Sequence, residues 1–429
     1  MLNRVQELYR LLRNRYLPPD ELRELRESKL RAVIEHAYEN VPYYRSLFRS
    51  EGLTPQDVRT LEDLQRVPIT SKEALRAAGV EGALAKGVDP ASCEVSRTGG
   101  TTGKPLASYR NTKEARTRAL VGFRALHTAG VRPLDRMLTL RRPRSPRSLT
   151  NRFGLYRTYY FSPLLPMEQQ IRLLRRINPT VWRVTPGKLR ALLHFADYRL
   201  SEIIRPRMLI TSSEVFDEGL RKRVLADMDV ELFNFYVSTE FAEIASDCRA
   251  HEGLHVNADE LILECLNDDD RPVDPETPGT VVVTSLSSLT MPFIRYHLED
   301  ICTPMERPCS CGSSFPLISP PLGRQEDVLR LPSGKILSPL GLGGGLWAVD
   351  GLDQFRFIQE SLDHFVLQLA VWKDPGQEVL SKVRGQVLEY LGEPVRFDVE
   401  ILGQLPEDKG KFRRFISKVP TPHSTEVQE

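Results

Sequence analysis

Apolar residues recur at helical spacing in the first part of the chain. They return every three or four positions over residues 2–12 and again over 22–34, with arginine and glutamate on the other faces. Pro18-Pro19-Asp20 separates these two stretches, and Val41-Pro42 ends the second. The spacing predicts a helical region over residues 1–66, in which the arginines form a solvated face rather than a binding patch.

Helical and strand patterns alternate in the middle of the chain. The predicted helices cover 112–129, 167–177, 188–198 and 216–227, and the predicted strands cover 137–140, 180–184, 208–210, 231–235 and 279–284. This alternation favours an α/β domain with a largely parallel sheet, in which ligands bind beyond the carboxyl ends of the strands. Beyond residue 327 the pattern predicts a small α+β unit, with strands over 355–359, 365–371 and 395–401 and a helix over 378–390.

Composition narrows the class of protein. A chain of 429 residues fits about two or three domains, and contents of 41% hydrophobic and 27% charged residues are typical of soluble globular proteins. A net charge of +2 predicts neither a nucleic-acid nor a membrane partner. No apolar run approaches the ~18 residues of a membrane helix, and the basic N-terminus has no apolar signal core. We therefore expect a cytoplasmic protein. Six cysteines are sparse for a disulfide scaffold, which favours reduced thiols or a metal site.

The most distinctive polar stretch is a glycine- and threonine-rich segment over residues 96–105. It contains Thr98, Gly99, Gly100, Thr101, Thr102, Gly103 and Lys104. Glycines let backbone amides approach an anion, and hydroxyls with an ammonium group can complete a polyphosphate site. The spacing is not that of a Walker loop, because only three residues separate Gly99 from Gly103 and a proline follows the lysine. The alternative interpretation is a flexible surface loop.

Further polar motifs follow this loop in chain order. They are Thr211-Ser212-Ser213-Glu214, Tyr236-Val237-Ser238-Thr239-Glu240, Arg295-Tyr296-His297-Leu298-Glu299-Asp300, Gly323-Arg324-Gln325-Glu326-Asp327 and Lys409-Gly410-Lys411. The first two come directly after predicted strands, where ligands bind in parallel sheets. Each motif alone is explained as well by a polar turn or a charged tail, so only the ordered set carries information.

The ordered set resembles the motifs of adenylate-forming enzymes, the superfamily of acyl-CoA synthetases. The chain looks most like the phenylacetate-CoA ligase branch, with its coenzyme F390 synthetase-like and CapK-like relatives, over roughly residues 61–415. The resemblance implies a large N-terminal domain over 1–323 with mostly parallel sheets, in which 1–66 is a helical lead-in. It also implies a small mobile C-terminal α+β domain over 324–429, with a hinge near 324–327.

The resemblance implies roles for single residues. In that family the glycine-threonine loop and its lysine bind the ATP phosphates, so residues 98–104 become ATP ligands. Tyr236 corresponds to a tyrosine that packs on adenine, Thr239 to a threonine at the α-phosphate, and Glu240 to a magnesium ligand. Ser213 and Glu214 correspond to a segment along the base. This chain has Val237 where the family usually has glycine, which changes the space beside the acid.

The remaining motifs correspond to the ribose contacts and the catalytic lysine of the family. Asp300 corresponds to an aspartate that accepts hydrogen bonds from the ribose hydroxyls, and Arg324 to an arginine at the ribose. Lys411 corresponds to the lysine that is catalytic for adenylation, with Lys409 as the alternative. Glu299 replaces the usual glycine, so the geometry of this turn stays open.

A structural metal site is a further hypothesis. Two thiolates from Cys309 and Cys311, a third from Cys248 and one histidine make a tetrahedral set that suits zinc. Spacing does not choose between His251 and His255, whereas the resemblance favours His255. The alternative is that the three thiols are buried or unused.

The resemblance predicts ATP- and Mg²⁺-dependent adenylation of a carboxylic acid, followed by transfer to coenzyme A. Two alternatives stay open: a different acceptor (an amine, a carrier-protein thiol or a cofactor that receives AMP), and a degenerate adenylate-binding protein without activity. The sequence does not identify the acid, and Phe235, Tyr236 and Trp182 are either pocket or core residues. Eight arginines over residues 132–157 form either a lid that binds phosphates or an exposed loop. The oligomeric state also stays open, with a homodimer as one alternative.

Overall fold

The computed structural model describes most of the chain. The described residues are 2–97, 105–140, 154–197, 199–216, 218–324, 328–337, 342, 352–371, 374–403, 405 and 415–419. Within them, the helices are α1 Leu2–Asn14, α2 Pro19–Asn40, α3 Pro42–Ser50, α4 Lys72–Ala83, α5 Thr112–Thr128, α6 Met167–Ile177, α7 Pro186–Phe195, α8 Glu218–Asp227 and α9 Gly376–Leu391. None of these helices is long and apolar enough to cross a membrane.

The strands follow the same chain order. They are β1 Glu94–Arg97, β2 Ala107–Arg110, β3 Arg136–Leu140, β4 Arg157–Phe161, β5 Val181–Val184, β6 Met208–Ser212, β7 Glu231–Ser238, β8 Ala242–Asp247, β9 Leu254–Val256, β10 Leu261–Leu266, β11 Gly279–Ser285, β12 Tyr296–Cys302, β13 Pro304–Met305, β14 Leu317–Ile318, β15 Gly323–Arg324, β16 Leu329–Arg330, β17 Ile336–Leu337, β18 Leu352–Ser361, β19 His364–Val371, β20 Arg396–Leu402 and β21 Phe415–Ser417. Every helix and strand predicted between residues 112 and 401 is present, with ends that differ by a few residues.

Local side-chain contacts explain where helices begin. The Asn111 side chain accepts hydrogen bonds from the Lys113 and Glu114 amides, and the Glu114 carboxylate accepts one from the Asn111 amide, which forms a capping box. Thr185 caps α7 and Pro186 occupies its first position, so this helix starts two residues before the predicted Lys188.

The largest sheet confirms the α/β prediction. Its order is β13-β14-β9-β8-β7-β6-β5-β3-β4, and the five strands from β4 to β7 are all parallel. Helices α6, α7 and α8 pack on one face through Leu174, Leu189 and Leu220. Helix α5 packs on the other face through Ala125 and Ala129. The central parallel strands β5, β6 and β7 are therefore largely buried on both faces, and the carboxyl ends of the five parallel strands share one edge.

Within the described residues, two four-stranded sheets and two two-stranded sheets, β1-β2 and β16-β17, accompany the large sheet. Strands β10, β11, β12 and β15 form an antiparallel sheet that shares an apolar cluster with β7, β8 and β9. Strands β18–β21 form a mixed sheet in the order β20-β19-β18-β21, and α9 packs on it through Val383, Val387 and Leu391. This last sheet matches the predicted α+β unit. The proposed boundary at residue 323 and the mobility of the small unit stay predictions.

A buried ion pair ties the N-terminal helices to the rest of the large unit. Arg124 of α5 donates to both oxygens of Asp259 at 2.8 and 2.7 Å, and both side chains are at most 2% exposed. Asn14 donates to the same carboxylate at 2.8 Å, and Arg124 also donates to the Leu11 carbonyl. Burial alone would raise the pKa of Asp259, but Arg124 lowers it, so the carboxylate stays ionised.

We expect Asp259→Ala to destabilise the protein strongly. The substitution leaves the Arg124 guanidinium buried without its counter-charge, which typically costs about 3–5 kcal/mol. Urea unfolding measures the change. Arg23→Ala, which breaks the exposed Arg23–Glu62 pair, is the matched control and should leave the midpoint nearly unchanged. Equal shifts for the two variants would contradict the role given to the buried pair.

Candidate active site

The turn between β7 and β8 is held in place by two arginines. It carries Thr239 and Glu240 at the carboxyl edge of the parallel strands. Arg118 of α5 donates to the carbonyl oxygens of Thr239 and Glu240, both at 2.7 Å, and Arg110 of β2 donates to the Thr239 carbonyl at 3.3 Å. Burial lowers the pKa of Arg118 to about 10, so it remains charged near neutral pH. These hydrogen bonds hold the backbone of the turn in place.

Two tyrosine–carboxylate hydrogen bonds join β7 to β12 reciprocally. The Tyr236 hydroxyl donates to Asp300 Oδ2 at 2.6 Å, and the Tyr296 hydroxyl donates to Glu240 Oε1 at 3.1 Å. Burial and the adjoining carboxylates raise the pKa of both tyrosines, which therefore stay protonated and donate. The two carboxylates are consequently presented at one junction between the two sheets.

Arg324 joins this junction through strand pairing. Asp300 of β12 lies opposite Arg324 of β15 in the antiparallel register. Arg324 Nη1 lies 3.8 Å from Glu299 Oε2. Glu299 has φ of +64°, a left-handed conformation that favours glycine and costs other residues roughly 1–2 kcal/mol. This conformation gives a physical reason for the glycine expected at the position.

The predicted phosphate loop, residues 98–104, lies outside the described residues, but the strands on either side of it are described. Strands β1 and β2 pair with each other, and Arg110 donates to Ser96 Oγ at 2.9 Å and to Ser108 Oγ at 3.1 Å. Because Arg110 also bonds the Thr239 carbonyl, this hairpin is joined directly to the β7–β8 turn. Lys411, Lys409 and residues 325–327 also lie outside the described part of the chain.

Ser213 and Glu214 follow β6 at the same edge of the sheet. Ser213 has a left-handed φ of +71°. The Glu214 carboxylate accepts a hydrogen bond from the Gly187 amide at 2.6 Å, in the first turn of α7. A carboxylate is favourable at this helix end. In this structure Glu214 therefore has a structural partner, and its place along a nucleotide base stays a prediction.

Trp182 and Phe235 do not line one aromatic pocket. Both are at most 1% exposed, but Trp182 packs with α6 and α7 whereas Phe235 packs with α5. Successive strand residues point to opposite faces, and these two occupy opposite faces of the parallel sheet. They are core residues.

Four potential metal ligands meet beside β9. The donor atoms of Cys248, His255, Cys309 and Cys311 all lie within 4.8 Å of one another. The His255 Nδ1 lies 3.2 Å from the Phe315 carbonyl, which directs Nε2 towards Cys311 Sγ at 3.3 Å. Burial lowers the pKa of His255 to about 4, so the ring is neutral and can ligate.

His251 is not part of this cluster. Its two ring nitrogens lie 3.0 Å from Asp247 and 3.4 Å from Glu231. Burial raises the pKa of the Cys248 and Cys309 thiols, so a cation would be needed to hold them as thiolates. The donor chemistry and the spacing fit zinc.

Sequence reasoning did not assign Arg110, Arg118 or Tyr296 to the site. Tyr296 belongs to the motif over residues 295–300, which attracted notice for Asp300. Its place in that motif could therefore have indicated a role at the site. The two arginines act through backbone carbonyls of residues more than a hundred positions away. No local pattern encodes such a contact.

The chain is similar to known proteins along most of its length. No family model matches the chain. It is 26% identical over 437 residues to a phenylacetate-coenzyme A ligase of Thermus thermophilus, covering 93% of this chain and 97% of the relative. A phenylacetate-coenzyme A ligase of Pseudomonas putida is also 26% identical, with 91% and 93% covered. The solved structure of 2-hydroxyisobutyryl-CoA ligase in the postadenylation state, with R3-HIB-AMP, aligns with a TM-score of 0.76 at 21% identity, covering 95% of this chain and 91% of that one.

Along most of its length the chain is thus similar to ligases named for acyl-CoA formation, and it shares the fold of a solved CoA ligase. The predicted α/β fold with a small C-terminal unit is confirmed by the structural neighbours.

We expect Glu299→Gly to stabilise the protein relative to Glu299→Ala. Glycine adopts the left-handed conformation without strain, and this gain exceeds its larger loss of backbone entropy, for a net of about 0.5–1 kcal/mol. Both variants remove the carboxylate beside Arg324, so their difference isolates the backbone effect. Thermal and urea unfolding measure it. An alanine variant as stable as the glycine variant would contradict the assigned conformation.

Proposed function

We propose that the protein activates a carboxylic acid with ATP and transfers the acyl group to coenzyme A. The observation that carries this proposal is the junction at which the Tyr236–Asp300 and Tyr296–Glu240 hydrogen bonds meet. It holds Asp300 and Glu240 through two hydrogen bonds between the same pair of chain segments, and Glu240 follows a parallel strand at the carboxyl edge, where ligands bind in such sheets. The relatives named phenylacetate-coenzyme A ligase support the same chemistry.

The first step forms an acyl-adenylate. A carboxylate oxygen of the acid attacks the α-phosphorus of ATP, and the bond to pyrophosphate breaks. Asp300 accepts hydrogen bonds from the ribose hydroxyls, for which a carboxylate has several lone pairs even while it accepts from Tyr236. Arg324, opposite Asp300, contacts the ribose, and Thr239 contacts the α-phosphate. Positioning and neutralisation of charge supply most of the rate enhancement in such a reaction.

The other nucleotide contacts come from the glycine-threonine loop and the C-terminal lysine. The terminal phosphates are bound by the side chains of Thr98, Thr101, Thr102 and Lys104. The glycines among residues 99–103 let backbone amides approach the same phosphates. Ser213 and Glu214 lie along the base. Glu240 would hold Mg²⁺, which offsets the phosphate charge. Lys411 bridges the reacting carboxylate and the α-phosphate.

The second step transfers the acyl group. The thiol of coenzyme A attacks the acyl carbon, and AMP leaves with the electrons of the broken mixed-anhydride bond. A pivot near residues 324–327 lets the small unit over 324–429 move between the two steps, and such hinge motion gates access rather than chemistry.

A structural zinc ion would be bound by the cluster of Cys248, His255, Cys309 and Cys311. All four positions come from protein, which leaves no open position for a reacting water. The cluster fixes the loop between β13 and β14 against the β8–β9 connection.

An exchange assay tests the function. Radioactive pyrophosphate should be incorporated into ATP in the presence of one class among aryl, fatty and amino acids, and coenzyme A should then be consumed with release of AMP. With that acid, we expect Lys411→Ala to lower exchange on the order of 10²- to 10³-fold, the cost of removing one preorganised charge. Thioester formation from supplied acyl-adenylate should stay near the wild-type rate, because the lysine acts in the first step.

Lys409→Ala is the matched control and should retain exchange. A larger loss in Lys409→Ala, or equal loss of both half-reactions in Lys411→Ala, would reject the assignment. Absence of exchange with every acid would reject the function.

Metal analysis tests the zinc site. We expect purified protein to carry about one zinc per chain. His255→Ala should lose that metal and unfold at lower temperature, because binding free energy contributes directly to folding. His251→Ala, a histidine four residues away that pairs with carboxylates instead, should keep its zinc. Equal zinc content in the two variants, or none in the wild type, would contradict the site.

A further inference from the structure

An ion pair stands on the α5 face of the parallel sheet near its carboxyl edge. Arg183, the third of the four residues of β5, donates through Nη1 and Nη2 to Oε1 of Glu243 on β8, both at 3.2 Å. The two side chains are 22% and 11% exposed. The pair is therefore largely withdrawn from water, yet not sealed from it.

One side of this pair is apolar, whereas Glu243 also faces a cavity with many polar side chains, among them Arg118 and Ser288. The face on which it lies is otherwise built from residues such as Val181, Ile210 and Phe235, and the Arg183 guanidinium lies 5.7 Å from the centre of the Phe235 ring. Removing two charges from water costs about as much as their attraction returns, so such pairs contribute little net stability.

The Glu243 carboxylate packs against helix α5 at a glycine, Gly122, where no side chain takes up the space. A Cβ added to Gly122 would lie 3.0 Å from Glu243 Oε2, closer than side chains tolerate without movement. Arg118, one turn earlier on α5, holds the carbonyls of the β7–β8 turn. The same helix therefore positions the catalytic turn and accommodates Glu243.

The pair is adjacent to the proposed reaction centre. Glu243 lies opposite Val237 in the β7–β8 hairpin, whose turn carries Thr239 and Glu240. Glu240 and Glu243 also line one cavity, whose other walls carry both aromatic and polar side chains: Phe241, Phe293, Arg110, Arg118, Ser285 and Ser288. An acid that reacts beside Glu240 can thus extend its organic part along this cavity towards Glu243.

We infer that the acid carries a hydroxyl or amino group on its organic part, and that this group binds against the Arg183–Glu243 pair. The inference rests on the proposed function and specifies its substrate class. The carboxylate accepts a hydrogen bond from either group, and the guanidinium donates to a hydroxyl. A pure hydrocarbon acid would strip water from both charged groups without replacing those bonds. Sites built to bind a polar group reject the analogue that lacks it by far more than apolar pockets reject an extra methylene.

Matched acids test the inference by pyrophosphate exchange. The probes are phenylacetate with its ring-hydroxylated and ring-amino derivatives, and butanoate with its hydroxy and amino derivatives. The wild type should prefer at least one polar member over its hydrocarbon parent by on the order of tenfold or more in kcat/KM. The double variant Arg183→Met/Glu243→Leu, which replaces the pair with apolar side chains of similar size, should lose that preference.

A second ion pair on the same sheet provides the control. Arg207 and Asp135 pair immediately before β6 and β3, at the opposite, amino-terminal edge, with side-chain exposures of 30% and 7%. Arg207→Met/Asp135→Leu should keep the wild-type preference, even if its thermal unfolding changes. If Arg183→Met/Glu243→Leu does not fold, the single variant Glu243→Gln supplies the same ratio, which should fall because the amide is a weaker acceptor.

The outcomes separate the two proposals. Exchange that favours hydrocarbon acids, or a preference that survives loss of the pair, overturns the substrate class while the ligase function stands. Absence of exchange with every acid overturns the function and this inference with it.

Discussion

The structure depends on a pair of hydrogen bonds that cross between two sheets in opposite directions. Tyr236 of β7 reaches Asp300 of β12, and Tyr296 of β12 reaches Glu240 beyond β7. A largely buried carboxylate needs donors, because desolvation without them costs several kcal/mol. Each strand therefore satisfies the acidic group of the other, and the register of both sheets is fixed at the place where the acids are needed.

The surrounding framework keeps this junction rigid. Arg118 and Arg110 bind the carbonyls of the intervening turn, so its backbone cannot rotate away from the tyrosines. The Arg124–Asp259 pair anchors the same helix α5 from its other end. The site is thus assembled from separate chain segments, and helix α5 holds the β7–β8 turn among them. The Arg183–Glu243 pair lies on the same face as this helix and is the contact that the inferred polar substrate would use.

Periodicity and motif order were sufficient for much of this account, for physical reasons. Amphipathic helices such as α6 and buried strands such as β11 carry their own spacing, and Tyr236 and Asp300 sit in recognisable motifs. The bond between these two residues was not predictable, because nothing local encodes which strands become neighbours. The left-handed backbone at Glu299 runs against its residue type, and the helix-end contact of Glu214 depends on tertiary placement. Without the strand register, the sequence could not show that Trp182 and Phe235 lie on opposite faces of the parallel sheet.

A crystal structure of the protein with ATP and Mg²⁺ is the most direct measurement of the central claim. The account predicts one nucleotide at the carboxyl edge of the parallel strands, with its ribose hydroxyls within hydrogen-bond distance of Asp300 and its α-phosphate beside Thr239. A nucleotide bound at any other surface, with this junction unchanged and without ligand, would contradict it.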